Sequence, residues 1–157
     1  MKIRPYSHSD RHACLEILTS NVPEFFLQSD LEAYAAFLDA LPGPYFVLEE
    51  FGQTVAAGGW AMDKDGVADL TWAMVRRELH RRGLGRALLR FRRTAIGTET
   101  PATLVRVRTT QLVQAFFTGV GFRVVDVVVN GYGAGQDRVT MEMNMPPNPK
   151  LGSKTPS

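Results

Sequence analysis

Residues 80–87 read His80-Arg81-Arg82-Gly83-Leu84-Gly85-Arg86-Ala87, two glycines among arginines immediately ahead of a helical repeat. The first N–H groups of a helix have no intrahelical acceptor and carry about half a positive charge from the macrodipole. Glycines at that point let backbone amides approach an anion with no Cβ in the way, and arginines add charge-assisted bonds. Arg81, Arg82, Gly83, Leu84, Gly85, Arg86 and Ala87 are therefore candidates for a phosphate cradle. The segment is not a Walker P-loop, because Gly-Lys-Ser/Thr is missing, and Leu88 stands where the dinucleotide fingerprint has its third glycine. Taken locally, the same residues also suit a plain glycine turn before a helix with a solvated arginine face.

The elements around this turn follow from hydrophobic periodicity. Lys2 to Tyr6 reads as a strand, and Ala13, Cys14, Ile17 and Leu18 recur at helical spacing behind a capping cluster Ser7-His8-Ser9-Asp10. Leu31, Tyr34, Ala35, Leu38 and Leu41 predict a second helix, ended by Pro42-Gly43-Pro44. Three strands follow over 45–51, 54–62 and 67–75, joined by Gly52-Gln53 and an Asp65-Gly66 turn. Leu84, Ala87, Leu88, Phe91 and Ala95 then share one helical face opposite Arg82, Arg86, Arg90 and Arg93, and Gly97 is expected to end the helix. A strand over 104–109, a short helix over 111–120 and strands over 122–129 and 138–145 complete the order, the last two joined by a glycine-rich loop at 130–135. The order β-α-α-β-β-β-α-β-α-β-β predicts an α/β (α+β) fold. It combines a mostly antiparallel N-terminal meander with a central parallel strand pair from a right-handed crossover, flanked by helices.

Composition limits what such a fold can be used for. The chain has 157 residues, enough for one domain, expected over 1–146, with a flexible polar tail at 147–157. No run is apolar enough to cross a membrane, and the charged start Met1-Lys2-Ile3-Arg4 lacks the apolar core of a signal peptide. Cys14 is alone and the three histidines are scattered, so neither an intrachain disulfide nor a metal site is expected. These features fit a reduced, cytoplasmic setting. The net charge of +2 does not call for nucleic acid, although eight arginines fall between Arg76 and Arg93.

The turn and its surroundings resemble the GNAT superfamily of acyl-CoA-dependent N-acyltransferases. The family pattern Arg/Gln-x-x-Gly-x-Gly/Ala, at the start of the helix after strand four, falls here on His80, Gly83 and Gly85. Downstream, Ala115-Phe116-Phe117-Thr118-Gly119-Val120-Gly121-Phe122 is similar to the family's Ala-x-Phe-Tyr-x-x-x-Gly-Phe helix. The resemblance spans residues 2–145 and implies a GNAT-like fold, with acetyl-CoA as co-substrate and a small-molecule or peptide amine as acceptor. It also implies that the 81–87 turn binds the coenzyme pyrophosphate. Backbone amides at Met74 and Val75 would then pair with the pantetheine arm and polarise the thioester carbonyl. A homodimer is left open.

Two departures bear on catalysis. His80 replaces the usual Arg or Gln, and Phe117 stands where the family usually has a tyrosine that protonates the departing thiolate. A general acid is worth about 10²- to 10⁴-fold, but a thiol of pKa about 8.5 can leave as the anion. Tyr132 is the substitute candidate. An alkyl amine of pKa about 10.4 is only about 0.04% neutral at pH 7, so a base or a dry pocket is needed. Asp69, Glu24 and Glu49 are the candidate bases, while Phe25, Phe26, Trp60, Trp72 and Tyr132 are candidate pocket aromatics. Without the hydroxyl at 117, a catalytically weak acyl-CoA-binding regulatory domain is the alternative. An RNA-binding arginine face is a third reading, which predicts steep salt dependence.

Overall fold

The computed structural model describes residues 1–146; the expected tail at 147–157 lies outside them. The elements are β1 (Lys2–Pro5), α1 (Arg11–Ser20), α2 (Asp30–Asp39), β2 (Tyr45–Glu50), β3 (Gln53–Met62), β4 (Val67–Val75), α3 (Leu84–Glu99), β5 (Leu104–Thr109), α4 (Gln114–Gly119), β6 (Arg123–Gly133) and β7 (Gln136–Asn144). Their order is the one the periodicity predicts. The strands form a seven-stranded mixed sheet in the order β1-β2-β3-β4-β5-β7-β6. Pairing is parallel between β4 and β5 and antiparallel between β1 and β2, β2 and β3, β5 and β7, and β6 and β7. The described residues form two compact units, Met1–Ala61 with Thr71–Thr94, and Met62–Leu70 with those that follow Thr94. Among the described residues no helix is long and apolar enough to cross a membrane.

In the first unit, β2 and β3 bury both faces because successive side chains point to opposite sides. Val47, Ala57, Tyr45 and Met74 pack with Cys14, Ile17 and Leu18 of α1 and Tyr34 and Leu38 of α2. Their neighbours Leu48, Val55 and Ala56 pack instead with Leu84 and Leu88 of α3. Trp60 stacks on Phe46 at 5.5 Å and is core. One buried cation on α3 is not legible from periodicity. Arg92 lies against the strands and donates to Gly59 O at 3.2 Å, and burial pushes its guanidinium down to about 10.

The connection from β1 to α1 is held electrostatically. The Arg4 guanidinium donates to both Asp10 carboxylate oxygens at 2.8 Å, and Asp10 Oδ2 also accepts the Ser7 N–H at 2.8 Å. The Arg4 bond holds the Asp10 carboxyl below the usual carboxylate range. A carboxylate with a depressed folded pKa stabilises above its unfolded pKa and loses that stabilisation as pH falls through the folded value. Asp10→Ala should therefore cost about 2 kcal/mol at pH 7. The gap to wild type should narrow below about pH 3.9. Urea unfolding at pH 7 and pH 3 measures both; a gap unchanged at pH 3 rules the account out.

In the second unit, Val67, Ala68 and Asp69 of β4 pair with Leu104, Val105 and Arg106 of β5. Val139, Met141 and Met143 of β7 are buried as their alternation requires. Three expectations are corrected here. The second half of α3 runs through Gly97 to Glu99, and the missing Cβ at Gly97 makes room for Met145, whose Cε would lie 3.2 Å from it. α4 starts at Gln114, three residues later than the apolar pattern suggests, after a turn in which Thr110 O accepts the Gln114 N–H at 3.1 Å. The glycine-rich segment 130–135 is mostly strand: β6 reaches Gly133 and β7 starts at Gln136. Asp137 and Asn130 side chains accept the Asn130 and Gly135 amides, each at 2.9 Å, and so stand in for interrupted ladder bonds.

Candidate functional site

The head of α3 is built by the chain leaving β4. The Arg76 N–H donates to Val55 O at 2.8 Å, and a single 3-10 turn at Arg77–Leu79 brings the chain round. Gly83 then adopts φ +81°, a left-handed conformation natural to glycine, in a place where an added Cβ would meet nothing within 4 Å. Buried Leu84 and Leu88 anchor the helix on β2 and β3. The Ala87 N–H donates to Gly83 O at 3.0 Å, closing the first helical turn. The amides of Gly83, Leu84, Gly85 and Arg86 are thereby left without intrahelical acceptors. Arg81, Arg82 and Arg86 are exposed beside them. Open space, unengaged amides and cationic side chains together fit a pyrophosphate.

His80 fastens this turn. Its Nε2 lies 2.8 Å from Val75 O, and the same carbonyl accepts Asn21 Nδ2 at 2.9 Å. A carbonyl can only accept, so Nε2 carries the proton. The ring also lies 5.1 Å from Phe25, beneath which Arg77 sits 5.3 Å from the ring centre. Asn21 is buried, and periodicity gives no hint of its role because the residue only follows the end of α1.

Each turn of helix advances about 5.4 Å, so only the first turn of the arginine stripe can reach an anion at its head. If that anion is the coenzyme pyrophosphate, as the resemblance implies, Arg82→Gln should raise the apparent Michaelis constant for acetyl-CoA several-fold, more so at low salt, where charges are least screened. Arg90→Gln with Arg93→Gln should leave that constant unchanged. Steady-state kinetics at two ionic strengths compares them. Equal effects of the proximal and distal arginines would make the stripe a docking surface for a macromolecule.

In β4, Trp72 departs from extended backbone with φ +25°. Its carbonyl accepts the Tyr45 hydroxyl at 2.6 Å, and the Tyr45 oxygen lies 2.7 Å from Tyr34 Oη. Met74 is buried toward α1 and α2, where Trp72 also packs, and Ala73 between them is exposed.

The candidate bases are all ion-paired. Glu24 accepts Arg77 Nη2 through both oxygens, at 2.8 and 3.1 Å, and Glu49 accepts Arg4 Nε at 3.0 Å. In the second unit Asp69 accepts Arg108 Nη1 at 3.3 Å and lies 3.8 Å from Arg106. Burial raises the Asp69 carboxyl, with the two arginines opposing it. Arg106 in turn donates to Glu142 at 3.0 Å. Phe117 is buried and held by its helix end: Phe122 N–H donates to Phe117 O at 3.0 Å, and Gly121 N–H to Thr118 O at 3.2 Å. With Gly121 at φ +106° this is a Schellman cap, and the Phe117 and Phe122 rings meet edge-on at 5.3 Å. Tyr132 lies in the irregular stretch of β6 and is 39% exposed. The structure thus gathers Glu24, Arg77, Phe25 and His80 beside the glycine turn, and Asp69 with Arg106 and Arg108.

Comparison with known proteins bears on the whole arrangement. No curated protein matches the chain in sequence. Among solved structures, the ribosomal-protein-S18-alanine N-acetyltransferase from Escherichia coli is similar with a TM-score of 0.78 at 18% identity, covering 99% of this chain and 98% of that one. An aminoglycoside 6′-N-acetyltransferase complexed with coenzyme A gives 0.77 at 13%, covering 95% and 99%. YncA from Salmonella typhimurium, solved with its cofactor acetyl-CoA, gives 0.74 at 19%, covering 93% and 94%. At these identities the likeness establishes the fold. The acetyltransferase (GNAT) domain family matches residues 18–145 directly, through both the glycine turn and the Phe117 helix, and the chain belongs to that family.

Proposed function

We propose that this chain transfers an acetyl group from acetyl-CoA to a primary amine of a small molecule or peptide, by direct attack in a ternary complex. The observation that carries the reading is the head of α3 in a GNAT chain, where the Ala87-to-Gly83 bond leaves four amides open beside exposed arginines. Bound acetyl-CoA supplies an activated thioester. The Gly83–Arg86 amides hold the pyrophosphate, with Arg82 or Arg86 adding charge. Strand amides near Met74 and Val75 hold the pantetheine arm and polarise the thioester carbonyl.

Neutralising the amine falls to Asp69 in preference to Glu24. Both carboxylates are engaged by arginines, but burial raises the Asp69 carboxyl, which makes its anion the stronger base, whereas Glu24 is exposed. Tyr132 is the candidate acid, since Phe117 has no proton to give. Residues 1–146 work in this reading as one catalytic domain in the reducing cytoplasm.

Release of free thiol from acetyl-CoA in the presence of amines tests the reading. The panel includes an aminoglycoside and an alanine-initiated peptide, the acceptors that two solved relatives are named for. A buried Phe117 without a hydroxyl favours one second reading, a catalytically weak acyl-CoA-binding regulatory domain. Tight coenzyme binding with no thiol release on any amine would establish that alternative.

A further inference from the structure

The hydrogen bonds around Tyr45 run in one direction. Trp72 O can only accept, so Tyr45 donates its proton there, at 2.6 Å. Its oxygen is then the acceptor for Tyr34, at 2.7 Å. Both phenols are buried, Tyr34 completely and Tyr45 with 4% exposed. Burial raises both phenols, so the hydroxyls stay protonated and the chain keeps its polarity.

The reach of Tyr45 depends on a missing side chain. Tyr45 on β2 pairs with Gly59 on β3. A Cβ at Gly59 would collide with Pro44 O and come within 2.7 Å of Tyr45 Cδ1. The ring therefore lies over the glycine, and its hydroxyl reaches past β3 to β4. At its end stands Trp72, which departs from the extended conformation of its strand. In a trans peptide the C=O and the following N–H point in opposite directions. Holding Trp72 O toward Tyr45 thus aims the Ala73 N–H away from it, at a residue that is exposed.

We infer that Tyr45 is a positioning residue for acyl transfer: its hydroxyl, passing over Gly59, holds the Trp72–Ala73 peptide turned so that the β4 amides face the thioester. This rests on the proposed acetyl transfer, in which those amides polarise the carbonyl. Tyr34 is the matched control, because its removal takes one hydroxyl from the same buried cluster and leaves the bond from Tyr45 to Trp72 in place.

The test compares Tyr45→Phe and Tyr34→Phe by steady-state kinetics and by backbone hydrogen exchange at residues 72–75. Tyr45→Phe should lower kcat by about 10- to 100-fold, as expected when a polarising donor is misplaced. Its Michaelis constant for acetyl-CoA should change by a smaller factor than kcat, because the amides at the head of α3 still hold the pyrophosphate. Exchange at Ala73 should accelerate in the same variant, while Tyr34→Phe keeps wild-type kcat and exchange. Equal losses in the two variants, or wild-type kcat in Tyr45→Phe, overturn the inference. A wild-type protein inactive on every amine refutes acetyl transfer and with it the catalytic role of Tyr45. Exchange at Ala73 then still decides whether the hydroxyl holds the peptide.

Discussion

Gly85→Val should weaken coenzyme binding by about 100-fold or more, read as the dissociation constant of CoA by titration calorimetry. A branched Cβ in the first turn of α3 pushes the phosphate away from the amides of Gly83 to Arg86. Each charge-assisted bond lost is worth about 1.5–3 kcal/mol, so losing two already exceeds the roughly 2.8 kcal/mol of a 100-fold change. Gly83→Val should act similarly but also destabilise the fold. At φ +81° an L-residue costs about 1–2 kcal/mol in backbone strain, even though there is space for its Cβ. Gly85 is therefore the cleaner probe. A folded Gly85→Val protein with unchanged affinity for CoA would sink the assignment of the pyrophosphate to this turn.

Phe117→Tyr should raise kcat by about 10-fold and add an alkaline fall in rate. A general acid contributes about 10²- to 10⁴-fold where the leaving group needs its proton, and less for a thiolate that can depart alone. The new phenol, with an ordinary pKa of about 10, donates only below that pH. The backbone at 117 is held by the cap at Gly121 and Phe122, which the added hydroxyl leaves in place. Rates on several amines from pH 6 to 10.5 give the profile. An unchanged rate and profile would mean that the acid lies elsewhere or is not needed.

The element order and the glycine turn at the head of α3 were legible in the chain because both rest on local chemistry. Glycines ahead of an apolar stripe read as a helix head whether or not the rest of the fold is known, and Gly121 with Phe122 reads as a helix end. Gly97 misled for a physical reason: a glycine can mark a close approach as well as a terminus, and only packing shows that Met145 comes against it. The 130–135 segment misled because Asp137 and Asn130 supply hydrogen bonds that composition alone assigns to solvent. Tyr45 was unreadable for a deeper reason. Its role depends on three strands in register, with Gly59 opposite it and Trp72 beyond, and no spacing along the chain encodes that. The surroundings of the candidate bases are of the same kind, because they turn on which arginine reaches which carboxylate.

Cys14 is the chain's single cysteine and is fully buried in α1. Burial pushes its thiol up to about 11. With the sulfur fully buried, thiol reagents reach it only when the surrounding core opens. While that core stays closed, an assay that counts liberated thiol therefore reads the coenzyme. In a coenzyme-free sample the same sulfur becomes a clock. Its labelling rate reports how often the α1 core opens, and slower labelling on adding ligand measures how far binding holds that core shut.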